Sequence, residues 1–272
     1  MLNLLFIGDI VGFSGFDFVC ENIQSLVKKH NANFLIINGE NICNGKGITE
    51  READKLFELG ANVITTGNHI WENWISKPLM KSNNLVLRPY NYPPGNIGRG
   101  YAVVTHPLGF DIAVLQLQGR VFMPPIDCPF RAADNVLKKL DSNLKVIIVD
   151  FHAEATGEKV SMGHYLDGKV SAVIGTHTHI QTADAQILSS GTAYITDVGM
   201  SGSYDSVLGL RKDVALNRHI YQVAHRYEPA TEDNKICGVS VRIDEQTGKA
   251  IRIENLVYPP FTNSIGDDEN KD

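Results

Sequence analysis

The chain has 272 residues, 43% hydrophobic and 21% charged, with a formal net charge of −6. That balance suits one large soluble domain with at most a small accessory part. It argues against wide nonspecific binding to DNA while allowing a small nucleotide ligand.

No apolar run approaches the about 18 residues of a membrane helix. The opening MLNLLFIGDIVG lacks a positive region and carries Asp9 inside its apolar stretch. Neither a membrane span nor a signal peptide is expected, and the chain reads as cytoplasmic. Residues 2–7 (LNLLFI) form an apolar run that ends at Gly8-Asp9, the pattern of a buried parallel strand. Phe18, Val19, Ile23, Leu26 and Val27 recur at helical spacing over residues 14–30, with Ser14 as the expected cap. FLIING (34–39) is the next strand, and NVITTG (62–67) is a third. Between them Thr49, with Glu52 three residues on, opens a helix through a capping box. Strand, helix, strand, helix, strand predicts an α/β fold.

From Ser76 to Gly100 the apolar residues lose their period among Pro, Asn and Gly, so the stretch reads as a loop or a small flap or cap. YAVVT (101–105) and DIAVLQLQG (111–119) flank PLGF as an antiparallel hairpin, and a helix covers Arg131–Leu140. VIIVDF (146–151), SAVIG (171–175) and TAYITDVG (192–199) return to buried strands. VSVRID and AIRIENLVY, around a QTG turn, form a closing hairpin. Parallel strands in front and antiparallel ones behind fit two packed sheets. The domain is drawn at residues 1–265, with GDDENKD (266–272) as a frayed tail.

Five of the buried runs end in residues that can bind a metal or move a proton. They are Asp9, then Glu40 and Asn41, then Asn68 and His69, then His152, then His177 and His179. Each has an ordinary alternative: a turn aspartate, a solvated Glu-Asn pair, a core histidine. One cleft at the carboxyl ends of the strands accounts for all of them together. The four cysteines stand far apart with no C-x-x-C spacing and read as unpaired thiols. Carboxylate, imidazole and amide donors without thiolate suit first-row ions. Six or seven such donors suggest two ions about 3.5–4 Å apart.

The ordered series GDIVG (8–12), NGEN (38–41), GNHIW (67–71), DFHAEAT (150–156) and GTHTH (175–179) resembles the calcineurin-like metallophosphoesterase superfamily. Through FIGDIVG, GKGIT, PPIDCPF, DFHAEATGEK and SAVIGTHTHIQTAD it is most similar to the YmdB-like branch, bacterial 2′,3′-cyclic-nucleotide phosphodiesterases, over nearly the whole chain. It departs from the wider superfamily at Val11, where a His is missing, at Glu40 in place of a bridging Asp, and at Ile70 after GNH. Asn41 is placed to replace the lost imidazole by its amide oxygen.

The resemblance implies a four-layer αββα sandwich of two mixed sheets flanked by helices. It also implies two divalent or trivalent metal ions, Fe or Mn ahead of Mg or Zn. Carried over by position, Asp9, Asn41 and His179 hold the first ion, Asn68, His152 and His177 the second, and Glu40 bridges them. The implied reaction is hydrolysis of a 2′,3′-cyclic nucleoside monophosphate to the 3′-nucleotide. A bridging hydroxide attacks phosphorus and His69 is the proton donor. A phosphomonoesterase with the same ions, or a regulatory nucleotide-binding protein with slight turnover, are the alternatives. Lys46 is a candidate phosphate contact or a solvated lysine, Trp71 a base platform or a packing residue, and Arg120 a phosphate or loop anchor. Glu154 and Asp197 are candidates to orient the histidines. Residues 202–209 and 78–99 are candidates to cover a substrate, and a homo-oligomer is a family-level expectation.

Overall fold

The computed structural model describes residues 1–72 and 74–261. Strand β1 (Leu2–Ile7) runs into the short β2 (Asp9–Ile10), and α1 (Gly12–Lys29) follows at once. The expected Ser14 cap is replaced by backbone: Gly12 N–H donates to Asn41 O at 3.0 Å, so the helix enters directly from β2. Ser14 Oγ instead bonds Asn234 Oδ1 at 2.8 Å. β3 (Phe34–Asn38), α2 (Glu50–Glu58) and β4 (Val63–Thr65) come next, and α2 carries the Thr49–Glu52 capping box in both directions.

The 76–100 stretch holds more regular structure than its sequence suggests, with α3 (Lys77–Ser82) and the two-residue β5 (Val86–Leu87). Leu79, Met80 and Val86 join the core; segments this short leave no readable period. β6 (Tyr101–Thr105) and β7 (Asp111–Gln118) form the expected hairpin. Helix α4 (Pro129–Leu137) starts two residues earlier than read, with Pro129 at its first position, where a missing N–H costs nothing. β8 (Val146–His152), α5 (Thr156–Leu166) and β9 (Ala172–Thr176) follow.

Beyond β10 (Gln186–Ile187), TAYITDVG does not make one strand. β11 (Ala193–Ile195) and β12 (Met200–Ser203) belong to different sheets, because the chain turns between them at Asp197 and at Gly199 with φ +79°. Helix α6 (Lys212–Tyr221) precedes the closing hairpin of β13 (Asn234–Ile243) and β14 (Ala250–Tyr258). The tail read at 266–272 lies outside the described residues.

In the first sheet β1, β3, β4 and β5 are parallel neighbours, with β13 antiparallel on the free side of β1. In the second, β7, β8, β9 and β11 are parallel, and β6 and β10 pair antiparallel at the edges. Strand alternation builds the layers. Leu2, Leu4 and Phe6 of β1 face Val114, Ile148 and Ile174 of the second sheet. Leu5 and Ile7 face Val19, Ile23 and Leu56 of α1 and α2. On the far side Leu115 and Val149 pack on Val136 and Met162 of α4 and α5. The result is the α–β–β–α sandwich. No helix among the described residues is long and apolar enough to cross a membrane.

Candidate active site

The parallel strands of both sheets end at one edge of the sandwich. Asp9 follows β1, Glu40 and Asn41 follow β3, and Asn68 opens a 3-10 turn (Asn68–Trp71) after β4. His152 is the last residue of β8, and His177 and His179 follow β9. The tips therefore meet across two sheets. Asn38 Nδ2 reaches Asp150 Oδ2 at 3.3 Å and ties β3 to β8 just beneath them. The approach is close enough to require a glycine before Asn68: a Cβ at Gly67 would stand 2.1 Å from Glu40 Oε2 and 2.3 Å from His152 Nε2.

Hydrogen bonds on the far side of each ring set the tautomers. Thr176 Oγ1 donates to Asp150 Oδ1 at 2.7 Å, so it accepts from His152 Nδ1–H at 2.9 Å, leaving the lone pair on His152 Nε2. Glu154 Oε2 lies 3.1 Å from His177 Nε2 and accepts a hydrogen bond from its N–H, leaving the lone pair on His177 Nδ1. Around His152 Nε2 then stand His177 Nδ1 at 3.0 Å, Asn68 Oδ1 at 3.0 Å and Glu40 Oε1 at 3.1 Å. Four acceptors face one another with no proton to share. Both Glu40 oxygens, Asp9 Oδ1 and Asn41 Oδ1 are also buried without a hydrogen-bond partner. Buried acceptors left this way are costly unless a cation joins them. Glu40, His152 and His177 offer ligand atoms all within 4.8 Å of one another, so the residues present fit a metal.

Alongside, His179 donates through Nδ1 to Leu208 O at 3.0 Å and turns Nε2 to Asp9 Oδ2 at 3.6 Å and Asn41 Nδ2 at 3.1 Å. Asp9, Asn41 and His179 thus adjoin. Asn41 presents its amide nitrogen here, and half a turn of that amide would present the unpaired Oδ1 instead. His177 and His179 adopt φ of +103° and +66°, a strained backbone for residues with side chains. The segment is pinned by His177 N–H to Asp9 Oδ2 at 3.1 Å and Thr178 N–H to Asp197 Oδ2 at 2.9 Å. Asp197 in turn pairs with the buried Lys159 at 2.6 Å.

The electrostatics point the same way. Burial, with the charges of Glu40, Asp197 and Asp150 added, pushes the Asp9 carboxyl well above its usual range. Burial takes Asp150 up to about 6. Burial brings His177 down to about 2 and lowers His179. Neutral imidazoles among crowded carboxylates make a site that favours a cation.

His69 stands at the mouth, its Nδ1 2.8 Å from Glu72 Oε1, and Lys46 pairs with the other Glu72 oxygen. Burial would raise the Glu72 carboxyl, yet Lys46 and His69 hold it below its ordinary range. A cleft of about 380 Å³ is lined by His69, His177 and His179 together with Leu208, Tyr227 and Arg218.

Residues 5–256 match the family model described as YmdB-like protein. The chain belongs to the YmdB-like family. A relative in Bacillus subtilis, named 2′,3′-cyclic-nucleotide 2′-phosphodiesterase, is 44% identical over 256 residues, which are 94% of this chain and 97% of that one. A putative phosphatase/phosphodiesterase of Mycoplasma pneumoniae is 32% identical over 262 residues, covering 94% of this chain and 92% of its own. Two solved structures superpose with TM-scores of 0.88. One is a hypothetical protein of Thermus thermophilus, 36% identical, covering 94% of this chain and 99% of that one. The other is a novel phosphatase of Mycoplasma pneumoniae, 31% identical, covering 94% and 92%.

The lesser candidates of this YmdB-like chain divide. Lys46, Glu154 and the 202–209 loop, through Val207 and Leu208, line the cleft. Asp197 holds the backbone between the two histidines and touches neither ring. Trp71 packs against the core beneath α1 and α2, edge-on to Tyr92 at 6.4 Å, and does not line the cleft. Arg120 acts through its backbone, its N–H donating to the Glu158 carboxylate at 3.1 Å while the side chain is exposed. Sequence reasoning missed Glu72, Lys159 and Thr176. Lys159 lies inside DFHAEATGEK, a motif visible in the sequence, but only its burial gives it a partner.

Proposed function

We propose that this chain hydrolyses 2′,3′-cyclic nucleoside monophosphates, breaking the bond from phosphorus to the 2′ oxygen and leaving the 3′-nucleotide. The observation that carries this is the set of acceptors around His152 Nε2, beside a cleft that His69 enters. The 44% identity to the Bacillus phosphodiesterase supports the substrate class.

Asp9, Asn41 and His179 would hold one ion, Asn68, His152 and His177 a second, with Glu40 between them. Oxygen and imidazole donors without thiolate favour Fe or Mn, with Mg or Zn as alternatives. Bound metal would supply positive charge for the phosphoryl oxygens and an acidified water. His69, whose Nδ1 is taken by Glu72, offers Nε2 to the cleft and gives a proton to the departing 2′ oxygen. Lys46 anchors Glu72 and so fixes the ring. Glu154 holds the His177 tautomer, and Asp197 holds the segment that carries both histidines. Residues 1–265 are read as the catalytic domain, acting in the cytoplasm on small phosphodiesters.

The Mycoplasma relatives keep a phosphomonoesterase in view. Protein stripped of metal and reloaded with Mn, Fe, Mg or Zn should convert 2′,3′-cyclic AMP to 3′-AMP, and the metal-free protein should not. Turnover of a phosphate monoester alone, or release of the 2′-nucleotide, would refute the reading.

A further inference from the structure

The cleft is not uniform in its lining. It takes in His69, His177 and His179, and it has an apolar wall formed by Val207, Leu208, Leu210 and Tyr227. This wall is bolted to His179, since Leu208 O accepts the His179 Nδ1 proton at 3.0 Å. Tyr227 covers the GKG loop closely enough that a Cβ at Gly45, where φ is +83°, would stand 2.2 Å from its ring. Helix α6 adds Arg218 and His219 to the same lining.

Arg218 differs from Arg211, two turns earlier in sequence. Arg211 is committed to Asp213 and Glu228, both at 2.7 Å. The Arg218 guanidinium makes no ion pair or side-chain hydrogen bond with any described residue, although it lines the cleft. The acidic side chain lining this cleft, Glu154, is engaged with His177. A single cleft of about 380 Å³ therefore brings together the candidate phosphate-handling histidines, an apolar wall suited to a nucleoside, and a guanidinium without an ionic partner among the described residues.

We propose that Arg218, with His219 beside it, is an anion subsite for a phosphoryl group on the 5′ side of the cyclic nucleotide. This rests on the phosphodiesterase reading above and narrows its substrate. Preferred substrates carry both a 2′,3′-cyclic phosphate and a 5′ phosphoryl group. That group is either a terminal 5′-phosphate or the diester to a preceding nucleotide, as on RNA cut by attack of its own 2′ hydroxyl. The planar guanidinium suits bidentate recognition of phosphate oxygens.

The test compares kcat/KM of the metal-loaded enzyme on adenosine 2′,3′-cyclic phosphate with and without a 5′-phosphate, and on a dinucleotide ending in the cyclic phosphate. The 5′-phosphorylated substrate should be favoured about tenfold, as one exposed charge-assisted contact allows. The preference should fall to within about twofold in Arg218→Gln, persist in part in Arg218→Lys, and remain in full in Arg211→Gln. It should also shrink as salt is raised. A matching gain for the dinucleotide assigns the subsite to RNA ends, and a gain for the mononucleotide alone assigns it to a terminal phosphate. Equilibrium dialysis of adenosine 3′,5′-bisphosphate against adenosine 3′-phosphate reads the same contact without turnover, so absence of hydrolysis would refute the proposed activity separately. Equal binding of the two ligands by the unaltered protein, or a preference that survives Arg218→Gln, overturns the subsite.

Discussion

The two sheets bring different chemistry to the cleft. The first carries oxygen and amide donors, Asp9, Glu40, Asn41 and Asn68, at the ends of β1, β3 and β4. The second carries imidazoles, His152 at the end of β8 and His177 and His179 after β9. Their states differ as well. Each histidine has its far nitrogen committed, to Thr176, Glu154 or Leu208 O. The oxygen half has both Glu40 carboxylate atoms, Asp9 Oδ1 and Asn41 Oδ1 buried without a partner. The imidazole half is preorganised by its own surroundings, whereas the oxygen half depends on a cation for its satisfaction.

That difference is most sharply broken at Glu40. Glu40→Gln keeps the shape and removes the charge facing His152. Metal per chain should fall by half or more and cyclic-nucleotide turnover by on the order of a thousandfold, since several kcal/mol of charge stabilisation go with it. His152→Ala, which removes the nitrogen that Asn68, His177 and Glu40 all face, should lose metal comparably. Elemental analysis on both variants decides the matter; full metal content in either would remove that residue from the ligand set.

His69 stands at the mouth of the oxygen half but owes nothing to the cation cradle, its partner being Glu72. His69→Asn should therefore retain metal and lose turnover by about 10²–10⁴-fold, the usual worth of general acid catalysis. A variant that lost metal along with activity would make His69 a structural support of the site and not its proton donor.

Both halves were legible in the sequence, the GTHTH pair most plainly. Asp9, Glu40, Asn41 and Asn68 each follow an apolar run within two residues or so, so a strand tip and its donor are visible together. The histidines were visible too, but their fixed tautomers were not. The relay from Asp150 through Thr176 to His152 spans β8 and β9. Lys159 meets Asp197 across 38 positions. Both are products of tertiary packing, and a single chain without a fold carries no trace of such pairings. The failures at Ser14 and at TAYITDVG share that cause. Helix α1 is started by a carbonyl from Asn41, and the strand expected over TAYITDVG stops at Ile195, where the chain turns away to the other sheet.

Preorganisation of the imidazole half can be weakened at a distance through Lys159. Its ammonium is buried against Asp197, which also accepts from Thr178 N–H and Gly199 N–H. Lys159→Met would leave that carboxylate buried with backbone partners alone, a loss of about 3–5 kcal/mol when one member of a buried pair is removed. Urea unfolding of the metal-free protein should show it. Metal affinity should fall in parallel because the carboxylate that tethers the His177–His179 segment, strained at both histidines, is no longer held in place by Lys159. Unchanged stability would mean that the backbone hydrogen bonds hold that segment unaided.

The smallest effect separates the support of a sheet from the chemistry at its tips. Helix α2 packs on the first sheet through Ala53 and Leu56, and its Thr49–Glu52 capping box lies at the end of the loop that begins at Glu40. Thr49→Ala removes one cap hydrogen bond, a cost of about 1 kcal/mol. Because Glu40 is held instead by Asn38 Oδ1, which accepts its N–H at 3.1 Å, the donors at the strand ends should not move. Denaturation midpoints should drop while metal content and kcat/KM stay within about twofold of the unaltered chain. A fall in metal content as large as that of Glu40→Gln would show that the oxygen half is positioned by its helix, and the contrast between the two sheets would then be one of scaffold and not of donor chemistry.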